Sequence, residues 1–385
     1  MGAVVVGGDY QGLGIVRSLG SRGVPVCIID DERSIARFSR YATYSVACPD
    51  LKDERRTVDV VLETGRRLAL DGWVLYPTRD ETVAAFARHR DELLRCFRVP
   101  TPSWDTVRRA WDKRETYALA AELGIPTPRT WYPADATELS TIDGTPPFAI
   151  KPAIKEHFVY ATKSKAWKAQ TTDELHTLFE AAARIVEPGE VMIQELIPGG
   201  GEQQFAYCAF FKDQRPVAKM VAQRARQHPP EFGRASTFVQ TVDEPALEAL
   251  SERFLRAIGY YGLVELEYKL DPRDGQYKLL DVNARTWGYH SLGARAGVDF
   301  PYLVYADQAG EAIDTHHASP GVRWVRLATD LPTAAVEFAH GRLDWRSYGR
   351  SLRGSDVEAV FSRRDPLPGL MECLLIPYLA VKRGF

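Results

Sequence analysis

Short apolar runs alternate with amphipathic stretches over the first hundred residues. "AVVVGG" reads as a buried strand, "GLGIVRSLGSRG" as a helix ending at Gly23, and "VPVCIIDD" as a second strand closing on carboxylates. "TVDVVLETGRRLALDG" repeats its apolar residues at helical spacing, "WVLYPT" returns to strand, and "DETVAAFARHRDELLRCF" to helix. That rhythm predicts parallel β/α units joined by right-handed crossovers.

"RVPTPSW", with Pro100 and Pro102, interrupts the pattern and marks a boundary. One helix is then expected over "DTVRRAWDKRETYALAAELG", closing at Gly124. "PPFAIKPA" is a strand, and "TTDELHTLFEAAARIV" a helix capped by Thr172 or Asp173. "EVMIQELIPGGGEQQFAYCAFF" reads as strand, glycine turn and strand, and "RPVAKMVAQRARQHP" continues the sheet. After the helix "EPALEALSERFLRAIGY" comes a hairpin, "YGLVELEYKLDPRDGQYKLLDVNAR", turning at "DPRDGQ".

Composition narrows the class. A chain of 385 residues predicts two or three domains. A net charge of −2 supplies no global basic field for nucleic acid. Five scattered cysteines form no CxxC pair, so neither a zinc site nor a disulfide framework is expected, and an odd number suits a reducing compartment. The chain opens directly on a strand, without the basic start of a signal peptide. Its longest apolar stretch, "LPGLMECLLIPYLAV", is too short to span a bilayer and contains Glu372 and Pro377. A docking C-terminal helix, no transmembrane segment and a cytoplasmic location are the expectations.

Chemistry concentrates in the hairpin. Period-two alternation puts Glu265, Glu267 and Lys269 on one face of the first strand, and Asp281, Asn283 and Arg285 on one face of the second. Pairing brings Glu267, Asp281 and Asn283 together, with Arg285 beside them. Two carboxylates and an amide oxygen are hard ligands suited to Mg²⁺. A solvated hairpin with ordinary cross-strand charge pairs is the competing reading. Lys151 ends an apolar strand just before a proline, aimed into a cleft, and Lys113 lies on the preceding helix. With the hairpin, both suggest neutralisation of a triphosphate. "KMVAQRARQHPPEFGRAS" places Arg224 and Arg226 on one strand face, fit for an anionic acceptor or for pairing with surface acids. Trp287, Tyr289 and His290 wall such a pocket or pack in the core.

The opening "GGDYQGLG" lacks the glycine spacing of a dinucleotide fingerprint, so Asp30 at the end of the second strand loses its reading as a ribose ligand. The loop keeps a helix N-terminus around Asp9, suited to an acceptor anion or serving purely as a structural turn.

In order, type and spacing these segments resemble the ATP-grasp superfamily. "WDKRETYALAAELGIPTPRT" is similar to its opening segment, "FAIKPA" to its nucleotide-lysine strand, "VMIQELIPGG" to the segment joining its lobes, and "LVELEYKL…LLDVNAR" to its metal hairpin, with Asp281 where a glutamate is often found. The resemblance implies a mixed α/β and α+β architecture: two α+β lobes gripping ATP, preceded by a Rossmann-like parallel β/α domain. The implied divisions are 1–108 (Rossmann-like), 109–190 (small lobe with lid), 191–320 (lobe with the metal hairpin) and 321–385 (appendage). Lys113 and Lys151 would contact phosphates, Glu195 and Leu196 would line the adenine site, Glu202 would meet the ribose, and Arg285 would stabilise the transferring group. Glu267, Asp281 and Asn283 would hold Mg²⁺. In place of a glycine-rich lid the chain has "AIKEHFVYATKSKAWKA", where Lys155, Lys163 and Lys165 would act as point charges over the phosphates and His157 would touch substrate or structure. The arginine strand is similar to stretches in carboxylate–amine ligases resembling D-aspartate ligase. The implied reaction is ATP-dependent ligation of a small, amino-acid-like carboxylate to an amine through an acyl phosphate, in an enzyme of a type commonly homodimeric. A non-catalytic nucleotide-binding module and an NAD(P)-dependent oxidoreductase are the alternatives.

Overall fold

The computed structural model describes residues 1–233 and 235–383. Strand β1 (Ala3–Val6) is central in the first sheet because all four of its residues are apolar and both faces are covered. Around it run α1 (Tyr10–Gly20), β2 (Val26–Asp30), β3 (Tyr44–Ala47), α2 (Glu54–Leu68), β4 (Val74–Pro77), α3 (Asp80–Arg88) and the short α4 (Arg90–Leu93). The order is β3-β2-β1-β4, all parallel. Strand β3 escapes the hydrophobic pattern because it is an edge strand with Tyr44, Ser45 and Ala47 exposed. Two glycines let α1 start hard against its own strand. Gly7 has φ +97°, and a Cβ on Gly12 would lie 2.2 Å from the Gly7 carbonyl oxygen.

The single helix expected over 105–124 is broken in two, α5 (Trp104–Trp111) and α6 (Lys113–Glu122). Asp112 between them is extended, and its carboxylate accepts the Arg114 N–H at 2.9 Å. A side chain that caps a new helix outcompetes continuation of the old one. The break makes Lys113 the first residue of α6 and buries it.

A second sheet comprises β5 (Thr130–Trp131), β6 (Phe148–Pro152), β7 (Trp167–Ala169) and β8 (Val191–Glu195), in the antiparallel order β5-β8-β6-β7. Between β6 and β7 the expected lysine-bearing loop is a helix, α7 (Lys155–Thr162). Nothing in "KEHFVYAT" breaks a helix, and Phe158 anchors it edge-on against Trp167, ring centroids 4.7 Å apart. Helix α8 (Thr172–Ala183) is capped by Thr171, whose side chain accepts from Glu174 N–H, so Thr172 and Asp173 fall in its first turn instead of at the cap.

The third sheet holds β9 (Gln204–Lys212), β10 (Arg215–His228), β11 (Ala235–Val242), β12 (Gly262–Asp271) and β13 (Gln276–Asn283), with α9 (Pro245–Ala257), α10 (Ser291–Arg295) and α11 (Phe300–Ala309) around it. Residues past 320, expected as an appendage, return to this sheet. β15 (Arg323–Val325) and β16 (Val357–Glu358) extend the order to β13-β12-β9-β10-β11-β15-β16, while β14 (His316–His317), just before that boundary, lies beside β10. β15 and β16 are joined by α12 (Leu327–Ala339) and α13 (Trp345–Arg353). The last helix, α14 (Leu367–Arg383), docks on the first domain near Ile35–Phe38, and its Glu372 pairs with the buried Arg326 at 2.8 Å. Among the described residues no helix is long and apolar enough to cross a membrane.

Leu13, Ile15 and Val16 of α1 share one core with Trp287, Phe300 and Trp324, so the first and third sheets are packed together. The second sheet has its own core. The site lies where the three parts meet.

Candidate active site

Two cavities flank the β12–β13 hairpin. The larger, about 710 Å³, lies between the second and third sheets, lined by Lys151, Glu195, Leu196, Glu202, Lys269 and Leu280 among others. Strands β6 and β8 pair with Lys151 opposite Met192, which directs Lys151 toward α6. There Lys151 Nζ donates to Tyr117 Oη at 3.2 Å, and Tyr117 donates to the Leu280 carbonyl at 2.9 Å. Burial and the neighbouring Lys113 push the Lys151 ammonium down to about 7. Lys113 differs: burial disfavours its charge, but Asp281 Oδ1 at 2.9 Å outweighs this and raises it. Glu195 reaches the cavity through its position at the end of β8, while its carboxylate turns away to Arg273 and the Arg129 N–H, both at 2.9 Å. Lys269, given no role by the sequence pattern, donates to the Ile197 and Gly199 carbonyls at 2.8 Å and braces the glycine turn.

The smaller cavity, about 270 Å³, lies on the other side of the hairpin. Its walls come from the start of α1 (Tyr10, Gln11), the β4–α3 turn, α7, and the side chains of Glu265, Glu267, Asn283 and Arg285. The organising residue here is Asp80, absent from the sequence reading. It accepts from Arg285 Nε at 2.7 Å and from the second guanidinium nitrogen at 3.2 Å, and it pairs with Lys155. Burial disfavours the carboxylate, yet Arg285 and Lys155 hold it well below the usual range.

The hairpin pairs as the alternation predicts, Glu265 opposite Asn283 and Glu267 opposite Asp281. Asn283 Nδ2 donates to Glu265 at 3.1 Å and to Glu267 at 3.0 Å, while its Oδ1 accepts from Arg285 at 3.1 Å. Glu267 also pairs with Arg224, and burial is outweighed by Arg224 and Lys165, so its carboxyl falls to about 2. Two opposed carboxyl groups and an amide oxygen keep spare lone pairs and fit a magnesium ion, which takes one or two protein carboxylates. Among the described residues no group of three or more His, Cys, Asp or Glu side chains is arranged around a metal, so a site demanding more protein ligands is not formed.

Other expected residues part company. Register shifts on both sides of Arg226 separate it from Arg224. Arg224 reaches the smaller cavity, donating to Ser236 Oγ at 2.7 Å. Arg226, expected beside it, is held bidentately by Asp330 at 2.9 and 2.8 Å and lies 4.2 Å over Phe238. Lys165 lines the smaller cavity, not the larger, and burial lowers it to about 8. Lys163 is the exposed left-handed C-cap of α7 and lines neither cavity. His157 lines neither and pairs with Glu190 at 2.9 Å. Asp9 stands at the N-cap position of α1 without a side-chain capping bond and lies 3.8 Å from Arg326, while Tyr10 and Gln11 face the cavity. The proposed anion cradle beside it is met internally, since Gly8 N–H donates to the Asp30 carboxylate. Trp287 is core, His290 contacts the Gln11 carbonyl at 3.0 Å, and Tyr289 walls the cavity and donates to Glu265.

A parallel first domain, an antiparallel second sheet and a hairpin-bearing third sheet around an interlobe cavity match solved structures over most of the chain. The fold is ATP-grasp. L-amino acid ligase from Bacillus licheniformis aligns at TM-score 0.62 with 16% identity, covering 80% of this chain and 73% of that one. N5-carboxyaminoimidazole synthetase from Staphylococcus aureus aligns at 0.64 with 12% identity, covering 88% and 85%. The biotin carboxylase domain of Hydrogenobacter thermophilus 2-oxoglutarate carboxylase, a dimer solved with MgADP and bicarbonate, aligns at 0.66 with 16% identity, covering 83% and 73%. In sequence, the chain is 24% identical over 305 residues to D-aspartate ligase of Enterococcus faecium (strain Aus0004), covering 73% of this chain and 70% of that protein. No family model matches.

Proposed function

We propose that this chain is an ATP-dependent carboxylate–amine ligase that activates a small carboxylate as an acyl phosphate, releasing ADP and phosphate. The observation that carries the reading is the hairpin standing between two cavities: lysines wall one side, and Arg285 with its paired carboxylates faces the other. The similarity to D-aspartate ligase and the ATP-grasp fold support it. In this reading Lys113 and Lys151 neutralise phosphates, the backbone at Glu195 and Leu196 meets adenine, and Glu202 meets the ribose. Glu267, Asp281 and Asn283 would hold Mg²⁺, which supplies charge neutralisation for phosphoryl transfer. Arg285 stabilises negative charge at the carbonyl being substituted. Five free cysteines suit a cytoplasmic location, and a homodimer, testable by light scattering, completes the proposal. The test of the activity is ADP release from MgATP with panels of amino-acid carboxylates and amines. Release is expected only when both substrates are present. A thermal shift with ATP but no ADP from any pair would leave a nucleotide-binding module.

Nucleotide binding is expected to take up a proton. Free Lys151, at about 7, is charged below that pH and neutral above it. A bound triphosphate favours the charged form, so above pH 7 apparent affinity falls by up to about tenfold per unit. Without nucleotide the sign for stability is opposite: the unfolded lysine binds the proton more tightly, so stability rises with pH from about 7 toward about 10. Calorimetry in buffers of different ionisation enthalpy checks this, and zero uptake one unit above pH 7 would refute it.

A further inference from the structure

Helix α7 occupies the place of a phosphate lid, yet its contacts belong to the other cavity. Lys155, Glu156, Val159 and Tyr160 line the smaller one. The helix is fixed there by Lys155 on Asp80, by the Tyr160 hydroxyl donating to Glu81, and by Trp111 Nε1 donating to Glu156 Oε2 at 2.9 Å.

Five carboxylates reach that cavity, and their surroundings differ. Asp80 carries Arg285 and Lys155. Glu267 carries Arg224. Glu265 accepts from Tyr289 on one oxygen and from Asn283 on the other. Glu81 accepts from Tyr160. Glu156 accepts its side-chain hydrogen bond from one neutral indole N–H, and its other oxygen forms only a 3.6 Å ion pair with Lys155 Nζ, whose own hydrogen bond goes to Asp80. It is buried, next in line to the Lys155–Asp80–Arg285 chain that runs to the hairpin.

We infer that Glu156 is the base that takes the proton from the incoming ammonium nucleophile, which makes α7 the wall of the amine subsite. This rests on the ligase reading. The charged groups facing Glu156 are Lys155 on its own helix, Asp80 on α3 and Lys113 on α6. Burial raises its proton affinity, Lys155 opposes this, and Asp80 adds to it. A carboxylate so tuned accepts a proton more readily than an exposed one. The step balances as follows. Glu156 takes one proton from R–NH₃⁺. The neutral amine attacks the acyl phosphate carbonyl carbon, a C–N bond forms, and the C–O bond to phosphate breaks with its electron pair leaving on phosphate. A second N–H proton passes to the departing phosphate. Acyl phosphate dianion and ammonium become amide, hydrogen phosphate and one proton on Glu156.

Hydroxylamine separates the roles, because it is uncharged near neutral pH and needs no such base. For Glu156→Gln, amide formation with an amino-acid amine is expected to fall about 10²–10⁴-fold while hydroxamate formation stays near wild type. The limb of the wild-type pH profile that falls as Glu156 protonates should vanish in the variant. Equal loss of both products with an intact melting transition overturns the inference, as does retention of both. If Glu156→Gln does not fold, Glu156→Ala with added formate decides: restored amide formation supports a base, and no restoration overturns it. A wild-type protein that makes no hydroxamate from any carboxylate would instead sink the ligase reading itself.

Discussion

Lys151→Ala and Asp281→Ala should each cut ADP release by about 10²–10³-fold, the cost typical of removing one preorganised charge partner from a transferring group. The two losses should differ in kind. Lys151 touches only the larger cavity, through Tyr117 and the strand end, so its removal should weaken ATP binding as well as turnover. Asp281 pairs with Lys113 and opposes Glu267, so its removal would take away one of the proposed magnesium ligands and strand a buried ammonium together. Activity in Asp281→Ala should therefore need more magnesium, and a titration of Mg²⁺ against rate reads this directly. Unchanged turnover in both variants would remove the hairpin and the lysine cavity from the mechanism. Lys151→Arg should restore charge but not fit, because a planar guanidinium cannot share the Tyr117 hydroxyl in the space of an ammonium.

These residues were legible because their signals are local. Alternation along two strands joined by a tight turn decides that Glu267 faces Asp281, and an apolar strand ending in Lys-Pro decides where Lys151 points. What the sequence pattern hid is set by distant partners. Nothing near Asp80 foretells Arg285, 205 residues away, or Lys155, 75 residues away. Arg224 and Arg226 look equivalent in an alternating strand, and only the register shifts of β10 against β11, with Asp330 on α12, send them to different work. The segment after Lys151 read as a lysine-bearing lid because it stands where the ATP-grasp resemblance places a glycine-rich loop. Its helix is stabilised by Phe158 on Trp167 and by contacts to α3 and α5 that no local window contains. The same holds for Glu156, whose meaning comes from Trp111 and from the cavity.

Asp80→Ala is expected to have the largest effect on the protein as a whole. One carboxylate of the first domain holds a cation from each of the other two parts, Lys155 of α7 and Arg285 after the hairpin. Removing it leaves two largely buried cations facing each other, a change that costs about 3–5 kcal/mol where one partner of a buried pair is deleted. Asp80→Asn retains the shape and one acceptor oxygen, so it should recover part of the stability but little of the activity, since Arg285 loses its bidentate hold. ATP binding should survive in both, because Asp80 borders only the smaller cavity. The pH dependence has a definite sign. The folded carboxyl lies below its unfolded value, so its contribution is full above about pH 4 and is lost only as the pH falls further. A double-mutant cycle with Lys155→Met tests the hub. If Asp80 acts through Lys155, the double variant should be more stable than additivity predicts by about 0.5–3 kcal/mol. Strict additivity, with wild-type turnover in Asp80→Asn, would reduce the contact to an ordinary surface pair and leave Arg285 positioned by Asn283 and the Thr286 carbonyl alone.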